Sequence, residues 1–286
     1  MKELDEIARK NQADWDLNVT EGERNTVPCL NLDADAYRDY AAGRSPTWPS
    51  MECEDAPEGI VLKDVRDRDV LCLASGGGQQ SAQLGLLGAR VTVLDLCAGQ
   101  LEADRRATDH YGYELSTVQG DMRDLSAFAD QSFDHVLQGI SLVFVPDLRQ
   151  VYGEVWRVLR TDGLYAAAHC NPATCPMCFE GPKNGWDGTG YRIAEPYCGG
   201  PIRVDGDGHE NMIEGEPSGE HRHLYRDIFN GLIDTGFAIL KVWDAQWHEL
   251  FKVFPDAGTR EHERAFLAYF STLSKKAERS RAGKQT

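Results

Sequence analysis

The sequence has no apolar run long enough to cross a lipid bilayer, and residues 1–16 are mostly charged or polar. A membrane-spanning helix needs about 20 consecutive apolar residues. A signal peptide needs a shorter apolar stretch close to the N-terminus. Neither pattern is present, so we expect a cytoplasmic protein without a transmembrane segment.

Positive charge is also scarce. The chain has 30 Lys and Arg residues against 46 Asp and Glu residues, which gives a formal net charge of −16. Such a surface repels phosphate backbones and anionic lipid. One basic cluster is found, between Lys275 and Lys284, and we interpret it as a solvated terminus. We therefore expect neither nucleic acid nor membrane partners, and the oligomeric state stays open.

The eight cysteines form no regular framework. Disulfides are rare in cytosolic proteins, so we expect free thiols. Cys175 and Cys178 have the spacing of a zinc-ligand pair, but the chain has no second pair of this kind. The remaining ligands would have to come from Cys198, His209, His221 or His223, at irregular spacing. We therefore predict no metal site.

The composition changes along the chain and suggests five segments. Residues 1–60 are polar and interrupted by prolines, with short helical patches such as 34–42, and are typical of an N-terminal extension or cap. Residues 61–170 alternate strand-length apolar runs with helical patterns. Residues 171–223 are rich in Gly, Pro, Asp and Glu and too long for an ordinary connection. Their aromatic residues favour a lid-like insert. Residues 224–275 return to a helix and two strands, and 276–286 are predicted to be a flexible tail.

The alternation predicts an α/β fold. Strands are expected at 69–74, 90–96, 114–119, 133–138 and 163–169, with helices between them. Two further strands, at 237–242 and 265–273, are close enough in sequence to pair antiparallel. This order builds a Rossmann-like, doubly wound, mostly parallel seven-stranded sheet with an antiparallel last strand.

The strongest functional signal is a run of three glycines, Gly76 to Gly78, between the first strand and the next helix. Glycines there let the backbone approach a ligand closely. Asp95 ends the second strand, where a carboxylate accepts hydrogen bonds from ribose hydroxyls and repels a 2′-phosphate. By itself this pattern fits either NAD or another nucleoside ligand. The dinucleotide fingerprint expects a third glycine where this chain has Ser81, which disfavours NAD.

Five segments in order resemble the class I S-adenosylmethionine-dependent methyltransferases, notably bacterial members with a LASGGGQQ-type loop. The segments are VLCLASGGG, VTVLDL, QGDM, SFDHVLQ and VWRVLRTDGLY, within 69–171. Three positions depart from the family pattern. Cys72 replaces an acid in the first strand, Ala74 replaces the first glycine of the loop, and Asp162 replaces the first glycine of the late turn.

The resemblance implies S-adenosyl-L-methionine as the cofactor and assigns residues to it. Asp95 would bind the ribose, Asp121 would accept from the adenine amino group, and the backbone of Met122 would contact the adenine ring. Gln79, Gln100 or Gln138 would compensate for the carboxylate missing at Cys72. The complete predicted cofactor set is Ala74, Ser75, Gly76, Gly78, Gln79, Asp95, Leu96, Gln100, Asp121, Met122 and Gln138.

The methyl acceptor must lie in line with the methyl group, at the carboxyl edge of the fourth and fifth strands. Ile140 and Ser141 follow the fourth strand, and Cys170 and Asn171 follow the fifth. His169 is a candidate general base because its reference pKa lies near neutral pH. The alternative is a histidine packed under the insert.

Trp15, in the N-terminal extension, is predicted to cover the cofactor or the acceptor, or alternatively to strap the back of the sheet. The Asp/Asn-Pro-Pro-Tyr motif used on nucleobase and amide nitrogens is absent after the fourth strand. We therefore predict a methyltransferase that acts on a small molecule at an undetermined O, S, N or C atom. A non-catalytic nucleoside-binding protein and an NAD-dependent oxidoreductase are the alternatives.

Overall fold

The computed structural model describes residues 4–47, 49, 62, 64–173, 197–203, 217–244 and 269–277. Most of the predicted insert, including Cys175, Cys178 and His209, lies outside these residues, as do residues 278–286 of the predicted tail. No helix among the described residues combines the length and the apolar character needed to span a membrane.

The strands form a large sheet and a separate hairpin. The strands are β1 (Asp69–Leu73), β2 (Arg90–Asp95), β3 (Leu115–Gln119), β4 (Phe133–Gln138), β5 (Leu159–Cys170), β6 (Gly200–Arg203), β7 (Pro217–Arg222), β8 (Phe237–Asp244) and β9 (Tyr269–Lys276). Seven of them form one sheet in the order β3-β2-β1-β4-β5-β9-β8, and β6 pairs with β7.

Within the described residues, six helices accompany these strands: α1 (Glu6–Glu21), α2 (Ala34–Ala41), α3 (Gln80–Leu86), α4 (Ala98–Tyr111), α5 (Leu148–Val158) and α6 (Tyr225–Thr235). Short 3₁₀ turns lie at Arg24–Thr26 and Leu142–Phe144. In α5 the buried side chains recur at helical spacing, from Leu148 through Val151 and Val155 to Val158, which explains why it packs flat on the sheet.

Strands β1 to β5 pair in parallel, and β9 pairs antiparallel with both β5 and β8. The predicted mostly parallel seven-stranded sheet with an antiparallel last strand is confirmed. The last strand does not form the edge of the sheet. It lies between β5 and β8, and β8 is the edge strand.

Apolar side chains cover both faces of the sheet. One face packs Cys72, Val93 and Leu137 against α3 and α4. The other packs Leu73, Val136 and Tyr165 against α5 and α6. Because side chains alternate between faces along a strand, neighbouring residues at the carboxyl ends belong to different layers. This alternation decides which residues reach the functional site.

Several element boundaries differ from the sequence analysis. The 16-residue helix α1 was not predicted, although Asp5 caps its first turn and Gly22 ends it with a φ of 70°. Strand β5 begins at Leu159, well before the predicted start at residue 163. Lys276 was assigned to the flexible tail, but it is the buried last residue of β9. Its Nζ donates to the Leu159 carbonyl over 2.6 Å.

Candidate active site

A cleft of about 250 Å³ opens at the carboxyl edge of the parallel strands. Helix α1 and the turn after it form its outer wall. Twelve predicted site residues line it: Ala74, Ser75, Gly76, Gln79, Asp95, Leu96, Gln100, Asp121, Met122, Trp15, Ile140 and Ser141. The structure thus brings together residues from five separate segments of the sequence.

The glycine loop forms the floor of this cleft, and each glycine is required by the local geometry. A Cβ on Gly76 would stand 2.6 Å from the Gln100 Cβ. Gly77 and Gly78 have φ angles of +107° and +73°, which L side chains rarely adopt. The backbone of the loop therefore lies directly against its surroundings and is open to a ligand on the cleft side.

The two family glycine positions that carry side chains here keep a glycine-like backbone. Ala74 has a φ of 45° and Asp162 has a φ of 63°. Aspartate tolerates this left-handed region, whereas alanine pays a steric cost of about 1–2 kcal/mol. Asp162 also pairs with Lys275 over 2.8 Å. Both turns are therefore preserved although the side chains differ from the family pattern.

Asp104, on α4, holds the glycine loop from beneath and was missed by the sequence analysis. Its carboxylate accepts hydrogen bonds from the Gly77 and Gly78 amides over 3.1 and 3.0 Å, and from the Ser81 hydroxyl. Burial raises its pKa to about 7. A carboxylate that holds the glycine loop is thus present on the neighbouring helix, although Cys72 takes the place of the family's acid in the first strand.

Asp95 ends β2 beside the loop. One carboxylate oxygen accepts from the Gly76 amide and the other from the Cys97 amide, each over 2.9 Å. Burial raises its pKa. The nearby Gln100 side chain is buried, and its Oε1 has no hydrogen-bond partner among the described residues. Asp95 and Gln100 therefore both line the cleft next to the glycine loop.

Asp121, after β3, is held by an arginine that the sequence analysis also missed. Arg123 donates to both carboxylate oxygens of Asp121, with distances of 2.6 to 3.0 Å. The same guanidinium donates to Asp5, the N-cap of α1, over 2.7 and 3.0 Å. The two carboxylates raise the pKa of Arg123. This chain of charges connects the start of α1 to the predicted adenine-binding acid.

The N-terminal extension lies across the front of the cleft. Trp15 lines the wall and packs edge-on against Phe144, with ring centroids 5.8 Å apart. Asn11 donates to the Phe144 carbonyl over 3.0 Å. Gln79 donates to the carbonyls of Arg24 and Val27 over 3.0 and 3.1 Å, so this predicted cofactor residue also anchors the extension to the glycine loop. Helix α1 and the turn after it cover the carboxyl edge of the sheet, whereas Leu32 and Tyr37, later in the extension, pack with α3 and α4 on one face of it.

The far half of the cleft has apolar walls and two additional amides. Its described lining includes Leu137, Ile140, Phe144, Val145 and Ala168. Gln80 and Gln83, on α3, face it from one side and were not predicted as site residues. Gln80 ends the LASGGGQQ stretch and Gln83 follows three residues later, but nothing in the sequence shows that both residues line the cleft.

Five predicted site residues do not line the cleft. Gly78 is turned toward α4, where a Cβ would stand 2.6 Å from the Ala103 carbonyl. Gln138 is 0% exposed and accepts from Tyr165 over 2.5 Å, although its amide also donates to Ser141 in the wall. Cys170 lies beside a smaller recess near α6. Asn171 is buried and accepts from the Tyr225 hydroxyl.

His169, the predicted base, is the fifth. It is 3% exposed, pairs with the Thr272 hydroxyl over 3.0 Å and stacks on Phe270. Burial lowers its pKa to about 3, so the ring is neutral at physiological pH. It lines the same small recess as Cys170 and is on the opposite face of β5 from Ala168. The structure therefore offers no support for its acting as a base on an acceptor in the cleft.

The described residues suit an adenosine cofactor. Asp95 and Asp121 place carboxylate acceptors in the cleft lining at the ends of two neighbouring strands. The glycine loop presents bare backbone between them. In the described part of the chain no group of three His, Cys, Asp or Glu side chains is arranged to hold a metal ion.

Comparison with known proteins finds methyltransferases, which agrees with a site for an adenosine cofactor. A family model described as a methyltransferase domain matches residues 71–167. The chain is 32% identical over 240 residues to an uncharacterized methyltransferase of Bacillus subtilis (strain 168), covering 82% of this chain and 89% of that protein. It is 26% identical over 174 residues to a ubiquinone/menaquinone biosynthesis C-methyltransferase of Nitrobacter hamburgensis, covering 59% and 65%.

The fold has matching solved structures. An S-adenosylmethionine dependent methyltransferase from Mesorhizobium loti has a TM-score of 0.61 at 19% identity, covering 85% of this chain and 99% of that one. The sheet order, the glycine loop with Asp95, and the Bacillus match over 82% of this chain all indicate the same family. The chain belongs to the class I S-adenosylmethionine-dependent methyltransferases.

Proposed function

We propose that this enzyme methylates a small molecule bound in the apolar half of the cleft. The observation that carries the proposal is the continuity of one cleft. It runs from Asp95 and the glycine loop to the walls formed by Leu137 and Ala168, at the ends of β4 and β5.

S-adenosylmethionine, when bound, supplies a methyl group on a sulfonium leaving group. In this proposal Asp95 and Gln100 bind the ribose, and Asp121 and the Met122 backbone bind the adenine. Ser75 and Gly76 form the floor beneath it, with Leu96 beside it. Trp15, Ile140 and Ser141 surround the acceptor and exclude water, which favours a fixed in-line geometry.

Three further observations support a small-molecule acceptor. The net charge of −16 disfavours a polyanionic nucleic acid substrate. The Nitrobacter relative is named for ubiquinone and menaquinone biosynthesis, which are small-molecule pathways. The described residues show no broad basic surface around the cleft, where only Arg123 is cationic and it is paired with two carboxylates.

The experiment has two steps. Calorimetry should detect binding of S-adenosylhomocysteine and no binding of NAD. The enzyme is then incubated with methyl-labelled S-adenosylmethionine and a deproteinised metabolite extract, and separately with RNA, DNA and protein. Label in the small-molecule fraction is expected. Label in a macromolecular fraction alone would contradict the proposed acceptor class, and NAD binding would contradict the cofactor.

A further inference from the structure

The guanidinium of Arg123 lies between two carboxylates and binds both of them. On one side its Nη1 and Nη2 donate to the two oxygens of Asp5 over 2.7 and 3.0 Å. On the other side its Nε and Nη2 donate to the two oxygens of Asp121 over 3.0 and 2.6 Å. Only 14% of the Arg123 side chain is exposed. A planar guanidinium that is paired on two sides keeps one position, which a flexible lysine with its single ammonium group would not.

These bonds also fix the carboxylate of Asp121. Its Oδ1 accepts from the backbone amide of Arg123 over 2.8 Å, in addition to the guanidinium bonds. Arg123 therefore directs three donor hydrogens at this carboxylate, from the backbone amide, Nε and Nη2, and the Nε hydrogen is shared by both oxygens. A carboxylate has about four acceptor positions. About one position is left for a ligand, and Asp121 lines the cleft.

The sheet places this carboxylate at the end of a row. Strands β1, β2 and β3 are neighbours and parallel, so the glycine loop, Asp95 and Asp121 follow one another along the carboxyl edge. Neighbouring strands are about 4.8 Å apart, so Asp121 lies about 10 Å from the loop. With the ribose at Asp95, the base of the cofactor reaches Asp121.

We infer that Arg123 is a positioning residue that makes the site select adenine by its amino group. A carboxylate held in one orientation accepts a hydrogen bond from that amino group. A base with a carbonyl oxygen there would bring two acceptors together, and the bonds to Arg123 prevent Asp121 from turning away. Without Arg123 the carboxylate can rotate and accept from a ring N–H or from water. The inference rests on the proposed function, because it takes the adenine to lie at Asp121.

The test compares two ligands that differ only in the base. S-adenosylhomocysteine carries the amino group, and S-inosylhomocysteine carries a carbonyl oxygen in its place. Both dissociation constants are measured by calorimetry on the full chain, for the wild type, Arg123→Gln and Arg123→Lys. The ratio of the two constants is the result of interest, because general damage to the site weakens both ligands alike. Lysine keeps the positive charge and loses the planar pairing with both carboxylates.

Arg157→Gln is the matched control. Arg157 also pairs with two acids, Asp130 and Glu154, over 2.8 Å each, and it does not line the cleft. Its replacement therefore removes a comparable pair of ionic contacts away from the proposed base site.

Wild type should bind S-adenosylhomocysteine about 100-fold more tightly than S-inosylhomocysteine, because a hydrogen bond to a charged group is replaced by a repulsion. In Arg123→Gln and Arg123→Lys this ratio should fall to about tenfold or less, because Asp121 is no longer fixed. Arg157→Gln should keep the wild-type ratio at any melting temperature that leaves the protein folded.

Three results would overturn the inference. They are equal binding of the two ligands by wild type, a wild-type ratio in either Arg123 variant, or a fall in the ratio of Arg157→Gln as large as that of Arg123→Gln. If Arg123→Gln does not fold, Arg123→Lys decides the matter, because it keeps a positive charge between the carboxylates. Failure of wild type to bind S-adenosylhomocysteine is a different result, because it contradicts the proposed function itself.

Discussion

Asp95 is the single residue on which the cofactor assignment depends most. Replacing it with alanine removes a carboxylate at the ribose position, and charge-assisted hydrogen bonds contribute about 1.5–3 kcal/mol each. We expect Asp95→Ala to reduce S-adenosylhomocysteine affinity by about 100-fold or more, measured by calorimetry. Asp121→Asn should cost less, because asparagine keeps one acceptor oxygen. If Asp121→Asn is the more damaging change, the roles of the two acids are exchanged.

Ala74 provides a test of backbone strain. Its φ of 45° costs alanine energy that glycine does not pay. Ala74→Gly should therefore stabilise the protein by about 0.5–1 kcal/mol in urea unfolding. Ala36→Gly, inside α2, is the control and should destabilise by about 1 kcal/mol, because glycine is unfavourable in a helix. A loss of stability in both variants would show that Ala74 is not strained.

The raised pKa of Asp104 predicts that the free energy of unfolding depends on pH. Its pKa is raised from 3.8 to about 7 in the folded protein. Between pH 4 and 7 the unfolded chain releases this proton and the folded chain keeps it, so this group's contribution to stability is lost as the pH rises. Asp104→Asn should therefore lose less free energy of unfolding between pH 5 and 8 than wild type does. Exposed Asp109→Asn, on the same helix, should keep the wild-type slope.

At the scale of elements, α1 is fastened to the core through its first turn. Asp5 accepts from the Ala8 amide over 2.9 Å and also pairs with Arg123, which lowers the pKa of Asp5 to about 2. Asp5→Ala removes the cap and the ion pair and should destabilise by about 1 kcal/mol. Asp5→Asn keeps the cap and should cost less at neutral pH.

The ion-pair contribution of Asp5 is present above about pH 4 and is lost as the pH falls toward 2. The matched control is Asp33, which caps α2 by accepting from the Ala36 amide over 3.0 Å. Asp33→Asn should have almost no effect at neutral pH. Equal losses in the Asp5→Asn and Asp33→Asn variants would mean that the pair with Arg123 contributes nothing measurable.

Side-chain alternation explains which site residues could be predicted. Asp95 and the glycine loop were predictable because they occupy the turns after strands, where position in the sequence fixes position at the sheet edge. Gln138 and His169 also lie at strand ends, but their neighbours Leu137 and Ala168 face the cleft instead. A one-residue difference reverses the face of a strand, and the sequence carries no marker of that choice.

Other features have no local signal. Asp104 is a polar residue in the middle of α4, and its role appears only when α4 packs under the glycine loop. Arg123 belongs to a short turn, and Asp5 is distant from it in sequence. The place of β9 between β5 and β8 depends on long-range pairing that spacing alone does not determine. Helix α1 was not predicted because its sequence has only a weak apolar pattern. Its stability comes from its contacts with the rest of the protein.

At the scale of the whole molecule, the cofactor should tighten the attachment of the N-terminal extension. Ala8, Asn11 and Trp15 of α1 all line the cleft, so a bound ligand adds contacts beneath this helix. Hydrogen exchange of α1 amides should slow about tenfold or more with saturating S-adenosylhomocysteine. The amides of α6, which packs beside α5 on one face of the sheet and does not line the cleft, should change much less. Equal slowing in α1 and α6 would mean that the ligand stabilises the whole protein and does not act on α1 in particular.

The position of β9 also sets the order in which the sheet is completed. During synthesis β5 and then β8 leave the ribosome before β9, yet in the finished sheet β5 and β8 never touch. Each strand therefore has an unpaired edge until β9 enters between them, and a premature pairing of β8 with β5 would occupy the place of β9. Unpaired edges attract other strands. We therefore expect nascent chains halted between β8 and β9 to aggregate more readily than the complete chain.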